Sequence, residues 1–589
     1  MKLKFAITKT KIILAIFLVL LAAVYWNSRQ HLLTYDDYRD MHLGKNLLGG
    51  QYSFFGDAYF KHPPLYMMIL ATSFAIFGFG EDAGYVVSIL FALATLVVTF
   101  LFAKRVTNTK IAFAAIAILA VNPWFVQFAR DLRFEMATTF FFLLSLYTYW
   151  RFLEASNKKY LIASGVSIGL GLLTKSFIFL LFPAYLLFVI LLAYKKKYNF
   201  IKGFLQLMVM TVVAFLVYSP WIIYTSLNHG PSQLTAQIEE FTGKLSWAPD
   251  YVPPPLYFYI FQLPDIITYP VLMLSLIGIV YFFKHKSRSL LLILSWIFVY
   301  FIFVSIMGWK EGRFLVYLIP GFAILAASGL NWILQKIKVN LQKIFWPIVG
   351  LAVLPGIIFS FSPLWPYAKS PIDWELWDYV DKVVDKNDYL LTNNYGMVEI
   401  YSRSSDFLIK NWEIDSFRFL TFDTEYALIE PEVDYPKNFP EIFTAVKQFN
   451  LETYENNISL ILYKIDLEKL SKMIYGENSI AITGNIYDVN TGQGIHRSKL
   501  ITADPTSGQS IGLFYSKLDG TIVAYLPRYG TYLMQASAFG YESETILVDV
   551  KSDVITICKS QTECLQKPNL GIGLVYKSFL VHEYPNIRF

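Results

Sequence analysis

The chain has 589 residues, of which 55% are hydrophobic and only 16% charged, with a mean hydropathy of +0.44. Soluble domains average about 25% charged residues, so an ordinary soluble enzyme is excluded. The formal charge of +6 is accounted for by lysine clusters between apolar runs, which speaks for membrane orientation and against nucleic-acid binding.

From the N-terminus, apolar runs fall at roughly 11–26, 83–103, 111–128, 134–153, 160–174, 177–194, 203–226, 266–283, 289–307, 314–334 and 344–361. A bilayer crossing needs about 20 apolar residues, so these predict about eleven transmembrane helices. Every second connection is rich in Lys and Arg: Lys2, Lys4, Lys9 and Lys11; Lys104, Arg105 and Lys110; Lys158 and Lys159; Lys195 to Lys197 and Lys202; Lys284, Lys286 and Arg288; Lys336, Lys338 and Lys343. The positive-inside rule puts those connections and the N-terminus in the cytoplasm, and everything after the last run outside. The first run lacks a small-residue cleavage site and reads as a retained helix. The apolar stretch Pro63–Gly80 reads as a helix on the outer surface or re-entering from it, because a crossing there would invert the charge pattern.

The external connections carry the candidate chemistry. The first holds Tyr35-Asp36-Asp37-Tyr38-Arg39-Asp40, then Lys61-His62-Pro63-Pro64-Leu65-Tyr66, whose prolines suit the first turn of a helix. Ionisable residues at membrane depth are functional candidates, against the plainer reading of a solvated loop with local ion pairs. The second reads Arg130-Asp131-Leu132-Arg133-Phe134-Glu135; Asp131 and Glu135 share a helix face near its N-terminus, where simple capping accounts for the pattern equally well. Lys175 is an external cation between two spans, either functional or snorkelling from a helix end. Gly308-Trp309-Lys310-Glu311-Gly312-Arg313 is basic where the charge rule disfavours it, which suggests a phosphate clamp. The connection 227–265, with Trp247 and Pro253 to Pro255, is expected to form an external lid whose aromatics lie in the membrane interface. Seven histidines and two cysteines show no zinc spacing, and no glycine-rich phosphate loop appears.

Hydropathy collapses after Phe361. The proline-rich stretch 362–373 is a linker, and residues 374–470 follow a mixed α/β pattern. Residues 478–552 are all-β, with turns at Asn490-Thr491-Gly492, Asp519-Gly520, Gly530 and Gly540, and 553–589 form a tail. Cys558 and Cys564 both fall in that tail, as a disulfide or as two thiols. The fold class is therefore a polytopic α-helical membrane protein, occupying residues 1–361, followed by an external α/β region and a small β-sandwich. The turn glycines of the all-β segment resemble the carboxypeptidase regulatory-like domain, a transthyretin-like sandwich that implies packing or recognition and no chemistry of its own.

The order Asp36-acidic-x-Arg39, His62-Pro63-Pro64-Leu65, Phe77-Gly78 and a span ending in Lys104-Arg105 resembles membrane glycosyltransferases of the C-type superfamily. Within it, the protein O-mannosyltransferases and lipid A aminoarabinose transferases look most alike. The resemblance is strongest over the first 190 residues or so, and the chain departs from it at Asp37, where Glu is usual, and at Phe314, where Tyr is usual. It implies a sugar passed from a polyprenyl-phosphate donor to an acceptor hydroxyl on a lipid, glycan or protein, outside the cytoplasm. The paucity of cysteine and a tail whose only glycosylation sequon is Asn457-Ile458-Ser459 point to a prokaryotic plasma membrane. Asp36 matches the family's base, with Asp37, Glu135 and Asp131 as further acids. Arg39, His62, Lys175, Lys310 and Arg313 would hold the donor phosphate. A divalent cation on Asp36, Asp37 and Glu135 is an open alternative to unaided carboxylates. The competing readings are an oligosaccharyltransferase, whose Trp-Trp-Asp-Tyr-Gly motif is absent, and a lipid or polysaccharide transporter, which would predict paired broken helices around midplane charges.

Overall fold

A computed structural model describes most of the chain between residues 9 and 575. The main stretches outside the described residues are 1–8, 29–34, 49–52, 230–237, 244–251, 337–343, 362–373, 385–389, 393–422, 430–434, 453–456 and 576–589, with a few isolated positions. The linker and Trp247 lie outside the described residues. The chain divides into two compact units: residues 1–30 with 59–368, and residues 31–58 with 369–589.

The first unit is helical. Six helices are long and apolar enough to cross a membrane: Lys9–Asn27, Glu81–Val106, Ser176–Tyr194, Phe200–Leu227, Arg288–Ile306 and Gly312–Lys336. Two bent pairs raise the number to eight among the described residues. The expected span at 111–128 is Thr109–Ala120 followed by Pro123–Ala129, bent by 70°. Its cause is local: Pro123 has no N–H to continue the first helix, and the Asn122 side chain caps the second by accepting from the Phe125 N–H at 3.1 Å. The span expected at 266–283 is likewise Phe258–Ile267 and Tyr269–His285, bent by 107° at Thr268, whose φ is +69°. Elsewhere, Lys158–Leu172 and Phe345–Phe361 have 15 and 17 residues, and Glu135–Ala155 is diluted by Thr and Tyr. Among the described residues, six to eight helices thus meet a length and composition test, which does not confirm the expected count of about eleven. The stretch from Pro63 becomes the 13-residue helix Leu65–Phe77, too short to span.

Helix ends follow the macrodipole: Glu81 and Asp82 open the helix that Lys104 and Arg105 close. Gly312–Lys336 lies at the centre of the unit, with 94% of its apolar window buried, whereas Phe200–Leu227 buries 22% and turns most of its surface outward. Tyr269–His285 and Ile319–Lys336 touch backbone to backbone, since a Cβ at Gly278 would collide with the Leu325 carbonyl and one at Gly329 with that of Leu274.

The second unit holds the helix Tyr35–Leu48, a two-stranded ribbon (Ser53–Phe54 with Asp57–Ala58) and three sheets. A four-stranded sheet runs in the order Leu390–Thr392, Tyr426–Ile429, Asn457–Ile465, Phe443–Glu452. A three-stranded sheet places Ile480–Asp488 between Thr521–Leu526 and Leu570–Leu574, the last running parallel to it. A six-stranded antiparallel sheet runs Glu563–Lys567, Ile555–Ser560, Glu544–Val550, Gly530–Ser537, Lys499–Ala503, Ser510–Tyr515. Inward residues alternate along these strands, as in Ile480–Asp488, where Ile482, Gly484, Ile486 and Asp488 are buried. One apolar cluster runs from Ala427 and Ile442 through Ile486 and Val548 to Leu574, so the four-stranded sheet and the sandwich share a core. Asp423 adds a polar tie, accepting from Tyr525 Oη at 2.7 Å and pairing with Lys517 at 2.9 Å.

Residues 553–574 are not a tail. They supply three strands, the last of which buries Leu570, Ile572 and Leu574. Its partner lies more than 80 residues earlier, and pairing at that distance leaves no local signal in the sequence.

Candidate active site

In the first unit the candidates gather around Phe134, which precedes the helix Glu135–Ala155. The His62 ring lies 5.1 Å from the Phe134 ring, and Tyr66 meets it edge-on at 6.3 Å. Lys175 sets its ammonium 4.3 Å above the same ring, 5.5 Å from Phe177 and 5.8 Å from Phe314. The side chain is 7% exposed, and among the described residues no hydrogen bond or ion pair reaches its ammonium. A cation taken out of water and given only π-faces is stabilised by about 0.5–2 kcal/mol, well short of the several kcal/mol that desolvating an ion costs. The arrangement suits an incoming anion.

Backbone and hydroxyl contacts fix this geometry. Lys175 is extended (φ −152°, ψ 137°) ahead of the short 3₁₀ helix Ser176–Leu180, and its N–H donates to the Gly171 carbonyl at 2.8 Å. Thr174 meets Thr138 through a 3.1 Å hydroxyl contact, one turn beyond Glu135. The Leu65 N–H donates to the Leu173 carbonyl at 2.9 Å, which ties the His62-Pro63-Pro64 turn to the same loop. Glu135 is 1% exposed, and its carboxylate sits 3.3 Å from the Arg133 guanidinium. Asp131 is buried next to Arg130 in charge terms. Arg130 itself is a tether, donating to the carbonyls of Ser28 at 2.6 Å and Ser360 at 3.1 Å.

Phe177 packs on Phe314 at 4.9 Å, linking the Lys175 loop to the segment 308–318. Arg313 pairs with Glu311, donating through Nη2 at 2.6 Å, and Trp309 Nε1 donates to the same carboxylate at 2.6 Å. The Tyr259 hydroxyl bonds both the Glu311 carbonyl and its N–H at 3.1 Å. The Lys310 ammonium donates to the Met307 carbonyl within its own loop.

In the second unit, Asp36, Asp37 and Arg39 lie on a helix, where the sequence suggested a loop. Arg39 donates to Asp36 Oδ1 at 2.7 Å and to Asp40 Oδ1 at 2.6 and 2.8 Å. Positions 36, 39 and 40 share a helix face, as their i, i+3, i+4 spacing requires. Asp37 and Asp40 are fully buried, while the Asp36 side chain keeps 21% of its exposure. Asp36 is therefore an oriented carboxylate that still reaches solvent.

Sequence reasoning missed Glu311, Tyr259, Phe134 and the Thr138–Thr174 pair. Glu311 carried a signal, since it stands between Lys310 and Arg313; the others depend on contacts between distant segments. Among the described residues no group of three or more His, Cys, Asp or Glu side chains is placed to hold a metal ion.

Comparison with known proteins agrees with this architecture. Residues 61–224 match the family described as dolichyl-phosphate-mannose-protein mannosyltransferase. The ArnT structure from Cupriavidus metallidurans in the apo state superposes with a TM-score of 0.59 at 14% identity, covering 76% of this chain and 97% of that one. The membrane unit shares the fold of that structure, and residues 61–224 are similar to the C-type glycosyltransferase superfamily. Within it the similarity is to the mannosyltransferase and aminoarabinose transferase group. An uncharacterized protein of Aquifex aeolicus is 29% identical over 313 residues, 52% of this chain and 61% of its own length. The undecaprenyl phosphate-alpha-4-amino-4-deoxy-L-arabinose arabinosyl transferase of Wigglesworthia glossinidia brevipalpis is 25% identical over 312 residues, 51% of this chain and 55% of its own length. The chain thus spans between half and two thirds of the length of both curated relatives. With its apolar helices, the chain is an integral membrane protein.

Proposed function

We propose that the protein is a polyprenyl-phosphate-dependent glycosyltransferase that moves a hexosyl or pentosyl group to an acceptor hydroxyl on the extracytoplasmic side, by a single inverting displacement. The observation that carries this reading is the buried Lys175 ammonium, which faces three aromatic rings and, among the described residues, no anion. A phosphate would supply the missing negative charge, and the apolar cage would strengthen the pair by excluding water. The arabinosyl transferase relative is named for an undecaprenyl phosphate donor, and ArnT, which has the same fold, has been seen with undecaprenyl phosphate bound.

In the displacement, the acceptor oxygen forms a bond to the anomeric carbon as its proton passes to a carboxylate. The bond between that carbon and the phosphate oxygen breaks, and its electron pair leaves with the polyprenyl phosphate. Asp36 is the proposed base: it keeps access to solvent, and Arg39 holds it on its helix. Lys175, with His62 and Arg313, would stabilise the departing phosphate, while Glu135 and its partner Arg133 position the segment under Phe134. Asp37 and Asp131 are too deeply buried to serve as readily, and Lys310 shapes its own loop. The lysine-rich connections support a cytoplasmic N-terminus, with the second unit outside a prokaryotic plasma membrane.

The test uses purified protein, a panel of radiolabelled polyprenyl-phosphate sugars and an envelope extract as acceptor. Label should reach an acceptor with the wild type and not with Asp36→Asn, which should express and fold normally. Retained transfer by Asp36→Asn would remove it as the base. No transfer from any donor, with lipid still moved across vesicles, would replace the enzyme reading by transport.

A further inference from the structure

We propose that Cys558 and Cys564 form an intramolecular disulfide that staples the edge of the six-stranded sheet. They are the only two cysteines among 589 residues. Strands Ile555–Ser560 and Glu563–Lys567 pair antiparallel, with Ile555 opposite Lys567, Thr556 opposite Gln566, Ile557 opposite Leu565 and Cys558 opposite Cys564. Directly opposed residues in such a ladder have Cα atoms about 4.5–5.5 Å apart, within the 4.4–6.8 Å range of disulfides. A register slip of one residue would separate the two cysteines, so their coincidence is specific to this pairing.

The location gives the bond a task. Beyond this pair the register shifts before Ser560 meets Glu563, so the regular ladder ends at the cysteines. Among the described residues, Glu563–Lys567 is the outermost strand of its sheet and pairs with one neighbour. The chain then crosses to the other sheet, where Leu570–Leu574 lies parallel to Ile480–Asp488 and buries three side chains. A covalent tie at the end of the hairpin would hold the edge strand in register and so fix where the closing strand begins.

The chemistry needs a disulfide oxidant, either a protein or a small molecule. One cysteine thiolate attacks it to give a mixed disulfide and releases one thiolate. The second cysteine attacks the mixed disulfide, closing the Cys558–Cys564 bond and releasing the other thiolate, with both protons passing to solvent. The inference rests on the extracytoplasmic placement of the second unit in the proposed function, because cytoplasmic thiols are kept reduced.

The test uses the full chain extracted from host membranes, with free thiols trapped by N-ethylmaleimide under denaturing conditions before digestion. The expected result is a cystine-linked segment carrying no maleimide, with both cysteines labelled only after reduction. In parallel, the reduced protein is exposed to glutathione disulfide, where ring closure is expected. Two labelled thiols in the membrane-derived protein, together with ring closure in glutathione disulfide, would overturn the extracytoplasmic placement and leave the register intact. Glutathione adducts on both cysteines, or disulfide-linked dimers, would overturn the pairing itself.

Discussion

Replacing Lys175 by Met removes the ammonium but keeps a flexible apolar stem of similar length among Phe134, Phe177 and Phe314. A charge-assisted hydrogen bond contributes roughly 1.5–3 kcal/mol. At 1.4 kcal/mol per tenfold change, kcat/KM for the polyprenyl-phosphate donor should fall by ~10–150-fold. Folding should move the other way or not at all, since the variant deletes a desolvated charge that has no anionic partner among the described residues. The assay pairs donor-dependent kinetics with thermal unfolding in detergent, plus displacement of bound lipid by polyprenyl phosphate. Weakened phosphate binding with unchanged or raised thermal stability is expected. A variant within about threefold of the wild type in kcat/KM, far short of the ~1.5 kcal/mol minimum for such a bond, would refute the anion-site argument. Loss of activity together with a fallen melting temperature would refute it too, by showing that the ammonium serves the fold.

Arg130→Met should destabilise the membrane unit, because it leaves the carbonyls of Ser28 and Ser360 without their donor. At about 1–3 kcal/mol for each buried unsatisfied group, a melting temperature lowered by several degrees is expected in detergent; an unchanged one would show that water replaces the guanidinium. The second unit should lose stability in acid. The Lys469 N–H holds Asp466, and the Ser507 and Thr506 N–H groups hold Asp504, below the usual carboxylate range. Their contribution is complete above the unfolded value near ~4 and is lost as pH falls through the depressed native values. Denaturant unfolding of the whole chain, followed by a probe in this unit, should show that decline, and Asp504→Asn should flatten it.

What the sequence decided by itself follows from short-range physics. Apolar runs bounded by lysines specify helices and their order, and alternating residues from Ile480 onward specify strands. Each is a local matter of desolvation or pleat. Lys175, Glu135 and Arg313 were legible as candidates because ionisable groups beside apolar runs are conspicuous. Asp36 and Arg39 were also legible, though not the helix that carries them, since their short charged segment has no apolar period to announce one. Only the tertiary structure showed that Lys175 sits on Phe134 and not at a lipid interface, that Lys310 turns to its own loop, and that Arg130 reaches residues 102 and 230 positions away. It also moved residues 553–574 from a tail into two sheets and set Cys558 against Cys564. Those contacts join segments whose separation along the chain has no periodic trace, and their register is set by burying both partners at once.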